Sequence, residues 1–169
     1  MKRNYLIGYL LFGLIWIVQA ESQAQQESGP FITISGEVIR PLRLNVANLR
    51  SMQAAEVKTK DSEGRQHIYK GVKLSVLLDS AKVTLGRELR GENLTKSLLL
   101  TSADGYEVVY SLAEIDPEFT DNMVLLAYEV DGNPLPGGEG PFRIIAPADK
   151  RAARWIRELN SIKVLFPKD

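Results

Sequence analysis

The chain has 169 residues, of which 44% are hydrophobic and 25% are charged, and this composition is typical of a globular protein with a hydrophobic core rather than a disordered chain. Its 21 basic and 21 acidic residues balance, so it lacks the excess positive charge on which nucleic-acid binding depends, and we predict no nucleic-acid partner. The absence of cysteine excludes disulfides, thiolate metal ligands and cysteine nucleophiles.

Residues 1–24 have the pattern of a signal peptide. Lys2 and Arg3 precede an apolar stretch of 13 residues, and small residues ending at Ala20 or Ala24 offer a cleavage site. The stretch is shorter than the roughly 20 residues of a membrane-spanning helix. We therefore predict a periplasmic or secreted mature chain that has no membrane span and carries a net charge of −1, from 19 basic and 20 acidic residues. An uncleaved membrane anchor is the alternative.

Residues 25–30 are polar and lack periodicity, which predicts a flexible tether before a folded domain over residues 31–169. The domain begins with strands and short helices in alternation. Gly36 within the first strand predicts a bulge or a close backbone contact, and Asn45 predicts the N-cap of the first helix. The predicted elements are a strand over 31–38, a helix over 46–52, a hairpin of 56–60 with 66–69, a helix over 72–81 and a loop over 82–96.

The second half of the chain is rich in turn signals. Asp131-Gly132 predicts a tight turn after an apolar strand, and Asp149 predicts the N-cap of a short helix. The predicted elements are a hairpin of 98–103 with 106–110, strands over 124–130 and 142–145 separated by a Gly/Pro-rich loop, the helix after Asp149, and a strand over 161–166. Because hairpins join antiparallel strands and the helices are short, we predict the α+β class, with mixed, mainly antiparallel β-sheets.

Six segments resemble, in order, the motifs of one family. Tyr69 to Leu78 is similar to its W-x-G-V-x-L-x-x-L-L element, and Gly140 to Pro147 is similar to its H-G-x-P-x-R-x-x-x-P element. The six segments cover residues 34–44, 69–78, 102–106, 125–135, 140–147 and 154–162. Together they resemble the molybdopterin-binding domain of the sulfite-oxidase-type oxidoreductases. The resemblance implies the fold of that domain and molybdopterin as the cofactor.

One feature of that family has no counterpart in this chain. The family's cysteine thiolate, which ligates molybdenum beside the pterin, falls between the first two segments, where this chain has Val57 to His67 and no cysteine. Lys58 or Thr59 cannot replace a soft thiolate, so we predict no cysteine-ligated metal. His67 is the only histidine. We interpret it as a surface residue of a hairpin, with metal ligation or acid–base chemistry as the alternative.

The resemblance implies that basic residues hold the phosphate of the pterin. Arg143 stands at the P-x-R position, and Arg154 stands where the family has a lysine next to tryptophan. A guanidinium offers bidentate geometry to phosphate oxygens. Gly140, Lys150 and Arg151 complete the predicted cofactor-binding set.

Each of these basic residues also has a purely structural interpretation. Glu139 stands where the family has histidine, and a carboxylate near a phosphate is repulsive. Arg143 would then form a structural ion pair with Glu139 or Glu129. The basic residues between 150 and 157 would form the solvated face of the predicted helix.

Three functions remain open on these grounds. The first is an exported protein that binds a pterin cofactor or a similar anionic small molecule without cysteine-ligated molybdenum. The second is a molybdenum-dependent oxidoreductase with a non-cysteine metal environment, so the sequence leaves enzyme activity undecided. The third is a non-catalytic scaffold for an envelope partner, such as a redox protein. No catalytic residue is assigned in any of them.

Overall fold

The computed structural model describes residues 29–61 and 63–167, and within them ten strands form two sheets. The predicted signal peptide and residues 25–28 of the predicted tether lie outside the described residues. The strands are β1 (Ile32–Gly36), β2 (Leu42–Leu44), β3 (Ala54–Lys60), β4 (Gln66–Lys73), β5 (Ser97–Ser102), β6 (Glu107–Ser111), β7 (Leu125–Val130), β8 (Asn133–Pro134), β9 (Arg143–Ile145) and β10 (Leu159–Leu165).

The helices are short, as the sequence predicts. α1 (Val46–Arg50) begins at Asn45, whose side chain accepts a hydrogen bond from the backbone N–H of Asn48, while the Asn48 side chain accepts one from the N–H of Asn45. This capping box satisfies backbone donors that a helix start leaves unpaired. α2 is Leu74–Ser80, and 3-10 turns lie at Gly86–Glu88, Gly91–Thr95, Leu112–Glu114 and Ala152–Arg154. In the part of the chain that the structure describes, no helix is long and apolar enough to cross a membrane.

The first sheet has the strand order β2-β1-β10-β5-β6. Its neighbours are antiparallel except for β1 and β10, which run parallel. In that pair Gly36 lies opposite Val164 at such close range that a Cβ on the glycine would meet the carbonyl oxygen of Val164 at 2.1 Å. The predicted close backbone contact at Gly36 is thus confirmed.

The second sheet has β7 at its centre. β3 and β4 form the predicted hairpin, β4 pairs with β7, and both β8 and β9 pair along the opposite edge of β7. The turn from β7 to β8 is the predicted one, with positive φ angles of 50° at Asp131 and 78° at Gly132. The α+β class with mixed, mainly antiparallel sheets is confirmed.

The central strand of the second sheet, β7, is buried on both faces. Side chains alternate between the two faces of a strand. Leu126 and Tyr128 on β7 therefore join the main core between the sheets, whereas Leu125 and Ala127 point to the outer face. A smaller apolar cluster covers that outer face and consists of Val57, Tyr69, Leu125, Ala127, Leu135 and Ile145.

The predicted helix after Asp149 is wrong. The segment makes only the 3-10 turn Ala152–Arg154, and Arg151 before it is extended. Arg154 donates from Nε and Nη2 to the carboxylate of Asp149, and the indole N–H of Trp155 donates to the carbonyl oxygen of Ala146. These side-chain bonds fold the segment back on itself, and they outweigh the weak preference for a helix.

Candidate functional site

A cleft of about 430 Å³ lies beside the small apolar cluster on the outer face of the second sheet. It is lined by the β3–β4 hairpin, the β7–β8 turn, the Gly/Pro-rich loop, β9 and the segment after the last 3-10 turn. The aromatic side chains of Tyr69 and Trp155 contribute to its wall. Its ionisable residues besides tyrosine are Lys60, Asp61, Arg65, His67, Asp131, Glu139, Arg143 and Arg157.

Arg143 is the buried cation of the cleft. β9 is paired with β7 through Ala127, so the Arg143 side chain emerges on the outer face, where only 8% of it is exposed. Its Nη1 donates to the carboxylate of Glu139 and, at 3.2 Å, to the hydroxyl oxygen of Tyr69. Its Nε is buried and has no hydrogen-bond partner among the described residues. A buried N–H donor without a hydrogen-bond partner lowers the stability of the folded state, so the unpaired Nε needs a functional or structural explanation.

Tyr69 supports the same guanidinium from the sheet. The Arg143 guanidinium carbon lies 5.5 Å from the centre of the Tyr69 ring. Burial raises the pKa of Tyr69, while the nearby cation of Arg143 opposes the shift and the carboxylates of Glu139 and Asp131 add to it. The hydroxyl therefore remains protonated at neutral pH, and it accepts from Arg143 while keeping a proton to donate.

A second group of charges joins the hairpin tip to the β7–β8 turn, and we call it the clasp: Asp61, His67 and Asp131. The Nδ1 atom of His67 lies 2.6 Å from Oδ2 of Asp131, and its Nε2 lies 3.3 Å from Oδ2 of Asp61. The Arg65 side chain, first among several donors, holds the pKa of Asp61 far below its usual range. The pKa of Asp131 is lowered first by the backbone N–H of Ile68 and then by His67.

The clasp favours the protonated imidazole, because both ring nitrogens face carboxylates. The hydrogen bonds to Asp131 and then to Asp61 raise the pKa of His67 above its ordinary value. The ion pairs of His67 therefore contribute their full stability to the folded state below about pH 6.5. Their contribution is lost as the pH rises through the higher folded-state pKa of His67. The lowered pKa values of the two carboxyls mean that their contribution is lost only as the pH falls well below about 4.

We expect Asp131→Asn to lower the pKa of His67, because it removes the closer carboxylate while keeping the side-chain oxygen that the Ile68 N–H needs. His67 is the only histidine, so its imidazole resonances report the titration without overlap in a proton–carbon NMR spectrum. Asp104→Asn is the matched control, since the Asp104 carboxylate accepts from Tyr106 N–H in a different turn. An unchanged His67 pKa in Asp131→Asn would contradict the clasp.

The structure brings only one of the predicted cofactor-binding residues into the cleft. Arg143 lines it, whereas Arg154, Gly140, Lys150 and Arg151 are outside its lining. Lys150 and Arg151 are exposed side chains of the segment that precedes the last 3-10 turn. Gly140 fits against Leu135, whose Cβ would lie 2.8 Å from a Cβ on the glycine.

Arg154 is committed to a charge network of its own. Besides its two bonds to Asp149, it donates from Nη1 to Glu114 at 2.8 Å, and its guanidinium carbon lies 4.3 Å from the centre of the Tyr110 ring. Asp149, as the nearest partner, raises the pKa of Arg154 further above its ordinary value. This network holds Arg154 against the 3-10 turn that follows β6, and not against the cleft.

Of the two alternative partners predicted for Arg143, the structure shows Glu139. Glu129 instead accepts from Arg50 at 2.7 Å. Sequence reasoning missed the clasp, because His67 and Asp131 meet only through the pairing of β4 with β7, in which Tyr69 lies opposite Val130. The apolar run of β7 signals a buried central strand, but nothing local identifies β4 as its neighbour.

A second cavity, of about 370 Å³, opens near the start of β3 and the start of α2. Lys73 and Asp121 are the charged residues that line it. It is similar in size to the cleft but has far fewer charged groups. For a charged ligand, the cleft is therefore the better candidate.

The residues of the cleft do not fit a molybdenum ion held in the manner of the family. The sequence has no cysteine, and the described residues contain no group of three or more His, Asp or Glu side chains placed to hold a metal ion. The ring nitrogens of His67 are already engaged by carboxylates. Hard carboxylate oxygens are poor substitutes for a thiolate beside a dithiolene.

Two packed sheets with short helices and a charged cleft on one outer face define an α+β domain. The chain belongs to the family of the oxidoreductase molybdopterin binding domain, whose family model matches residues 24–167. The resemblance predicted from six segments is thereby confirmed.

The fold is similar to that of the sulfane dehydrogenase SoxCD from Paracoccus pantotrophus, with a TM-score of 0.63 and 18% sequence identity. The match covers 82% of this chain and 38% of that chain. At this identity the likeness concerns the fold alone, and it supports the predicted class. A search among curated proteins finds no match.

Proposed function

We propose that this chain is an exported binding protein that holds a pterin-type cofactor, or a similar anionic small molecule, in the cleft without cysteine-ligated molybdenum. The observation that carries the proposal is the buried guanidinium of Arg143 at the cleft wall, with an Nε donor that has no partner among the described residues. Membership of the molybdopterin-binding family supports a pterin as the ligand class.

The charge balance of the cleft supports an anionic ligand. Its permanent cations are Lys60, Arg65, Arg143 and Arg157, against the carboxylates of Asp61, Asp131 and Glu139. The raised pKa of His67 adds positive charge below neutral pH. A site with a positive surplus attracts anions and raises their local concentration.

The aromatic wall supports a planar ligand. The indole N–H of Trp155 donates to the carbonyl oxygen of Ala146 at 2.9 Å, which fixes the plane of the ring, and Tyr69 is held by Arg143. Preorganised aromatic side chains stack on flat heterocycles at little entropic cost. A pterin that carries a phosphate combines a flat ring with a negative end, which matches this lining.

The test is native mass spectrometry with elemental analysis on the full chain, produced in a bacterial host that makes molybdopterin. We expect to recover the protein from the periplasm or the medium. Its mass is expected to equal that of a chain starting at Glu21 or Gln25, plus the mass of a metal-free pterin. Bare protein that also binds no molybdopterin in titration would contradict the binding proposal. Recovery of unprocessed protein in the membrane would contradict cleavage of the signal peptide and favour the membrane anchor.

The same experiment distinguishes the other two functions. Molybdenum at one atom per chain would establish a metal environment without cysteine and favour the oxidoreductase. Bare protein that is recovered together with an envelope redox protein would favour the scaffold. In that case Arg143 would be a structural ion-pair residue.

A further inference from the structure

Glu139 occupies the place in the cleft from which an anionic ligand would be held. One of its carboxylate oxygens accepts from Nη1 of Arg143, and the other lies 3.8 Å from Nη2 of Arg157. The two arginines come from different parts of the chain, β9 and the segment before β10. A single carboxylate therefore bridges two guanidiniums inside a cavity that has a surplus of positive charge.

We propose that Glu139 is an internal counter-ion of the cleft, which an oxyanion of the phosphate class displaces when it binds. Glu139 would thus set the affinity and the charge selectivity of the site. The inference deepens the proposed function and rests on it for the location of the ligand. It identifies Glu139 as a residue that opposes ligand binding, in addition to the residues that favour ligand binding.

The side chain of Glu139 is free to move without unfolding the loop that carries it. The backbone of Glu139 is fixed at both ends, because its N–H donates to Pro136 and its carbonyl oxygen accepts from Glu158, at 3.1 and 3.0 Å. Its carboxylate is 23% exposed, and Arg157 is 59% exposed. The contact with Arg157 adds little free energy at that distance, so the main cost of displacing Glu139 is its close bond to Arg143, which the oxyanion must replace.

An oxyanion satisfies Arg143 better than Glu139 does. With the carboxylate in place, the Nε of Arg143 has no acceptor among the described residues. A phosphate presents more acceptor oxygens than a carboxylate, and it accepts from two N–H donors of a guanidinium together. The two anions exclude each other, because like charges at contact distance repel strongly in a partly buried site.

The test compares the binding of inorganic phosphate to the wild-type chain and to Glu139→Gln by isothermal titration calorimetry. The variant removes the competing charge but keeps an acceptor oxygen for Arg143. We expect the dissociation constant for phosphate to fall on the order of tenfold. The matched control is Glu129→Gln, which breaks the Arg50–Glu129 pair outside the cleft and leaves phosphate binding unchanged. Equal or weaker phosphate binding by Glu139→Gln would overturn the proposal.

A second measurement covers the case in which Glu139→Gln is poorly folded without ligand. A ligand that binds only the folded state stabilises it by RT ln(1 + [L]/Kd), so at one ligand concentration the protein that binds more tightly gains more stability. Phosphate is then expected to raise the thermal midpoint of Glu139→Gln more than that of the wild type. A smaller or equal rise would overturn the proposal.

The failure of this inference differs from the failure of the proposed function. If the wild type binds molybdopterin but phosphate affinity is the same in Glu139→Gln, the counter-ion role fails while the binding function stands. If Glu139→Gln gains phosphate affinity while neither protein binds molybdopterin, the counter-ion role stands and the pterin assignment fails.

Discussion

Arg143→Leu is expected to abolish ligand binding in the cleft and to lower the free energy of unfolding by about 2–3 kcal/mol. The substitution removes a nearly buried cation that donates to both Glu139 and Tyr69. It leaves the Glu139 carboxylate without its close partner. Breaking a fully buried pair costs more, about 3–5 kcal/mol, but Glu139 is partly exposed and Arg157 remains near it.

Binding and stability are measured on the same preparations, by mass increment for the pterin and by urea unfolding for stability. Arg50→Leu is the matched control, because it breaks an arginine–glutamate pair in which the arginine is 52% exposed. We expect Arg50→Leu to lose less than about 1 kcal/mol and to bind normally. If Arg143→Leu bound the pterin like the wild type, Arg143 would be a structural residue alone.

Gly36→Ala is expected to lower the free energy of unfolding by about 4 kcal/mol or more, or to prevent folding. Gly36 has a φ of +89°, which an alanine adopts only with strain, and its added Cβ would lie 2.1 Å from the carbonyl oxygen of Val164. That oxygen belongs to the backbone of β10 and also accepts from the N–H of Glu37. The clash therefore cannot be relieved by moving a side chain, and β1 must separate from β10.

Gly105→Ala isolates the contribution of the backbone angle. Gly105 has a φ of +86°, nearly the same as that of Gly36, but nothing lies within 4 Å of its added Cβ. We expect this control to lose about 1–2 kcal/mol. The difference between the two variants, measured by urea unfolding, gives the cost of the clash. Equal losses would show that β1 and β10 tolerate separation at this point.

The sequence predicted the local elements well, because their determinants are local. Asn45 caps α1, and the Asp131-Gly132 turn joins β7 to β8 as expected. The helix predicted after Asp149 is wrong because contacts with distant parts of the chain hold that segment: Arg154 donates to Glu114, and the Tyr110 hydroxyl donates to the carbonyl oxygen of Arg154. α2 begins later than predicted, since pairing with β7 keeps residues up to Lys73 in β4.

The candidate site was less predictable than the fold. The ion pair between Arg143 and Glu139 was among the alternatives, because the two residues are only four apart in the sequence. The contacts of the clasp and of Tyr69 could not be predicted from the sequence, because they depend on which strands are neighbours. Strand order in a sheet is set by packing across the whole domain, and a single sequence contains no local signal for it.

The parallel pair of β1 and β10 has a consequence for how the domain assembles. β10 is the last strand of the described chain, yet it lies between β1 and β5 in the first sheet. The β1–β2 pair and the β5–β6 pair are joined only through β10, which bonds to β1 on one side and to β5 on the other. The long chain between β1 and β10 must be closed into a loop before these two strands can pair. Folds with such distant contacts fold slowly. We therefore expect the hairpins to form early, and the first sheet to be completed by the last strand of the described chain.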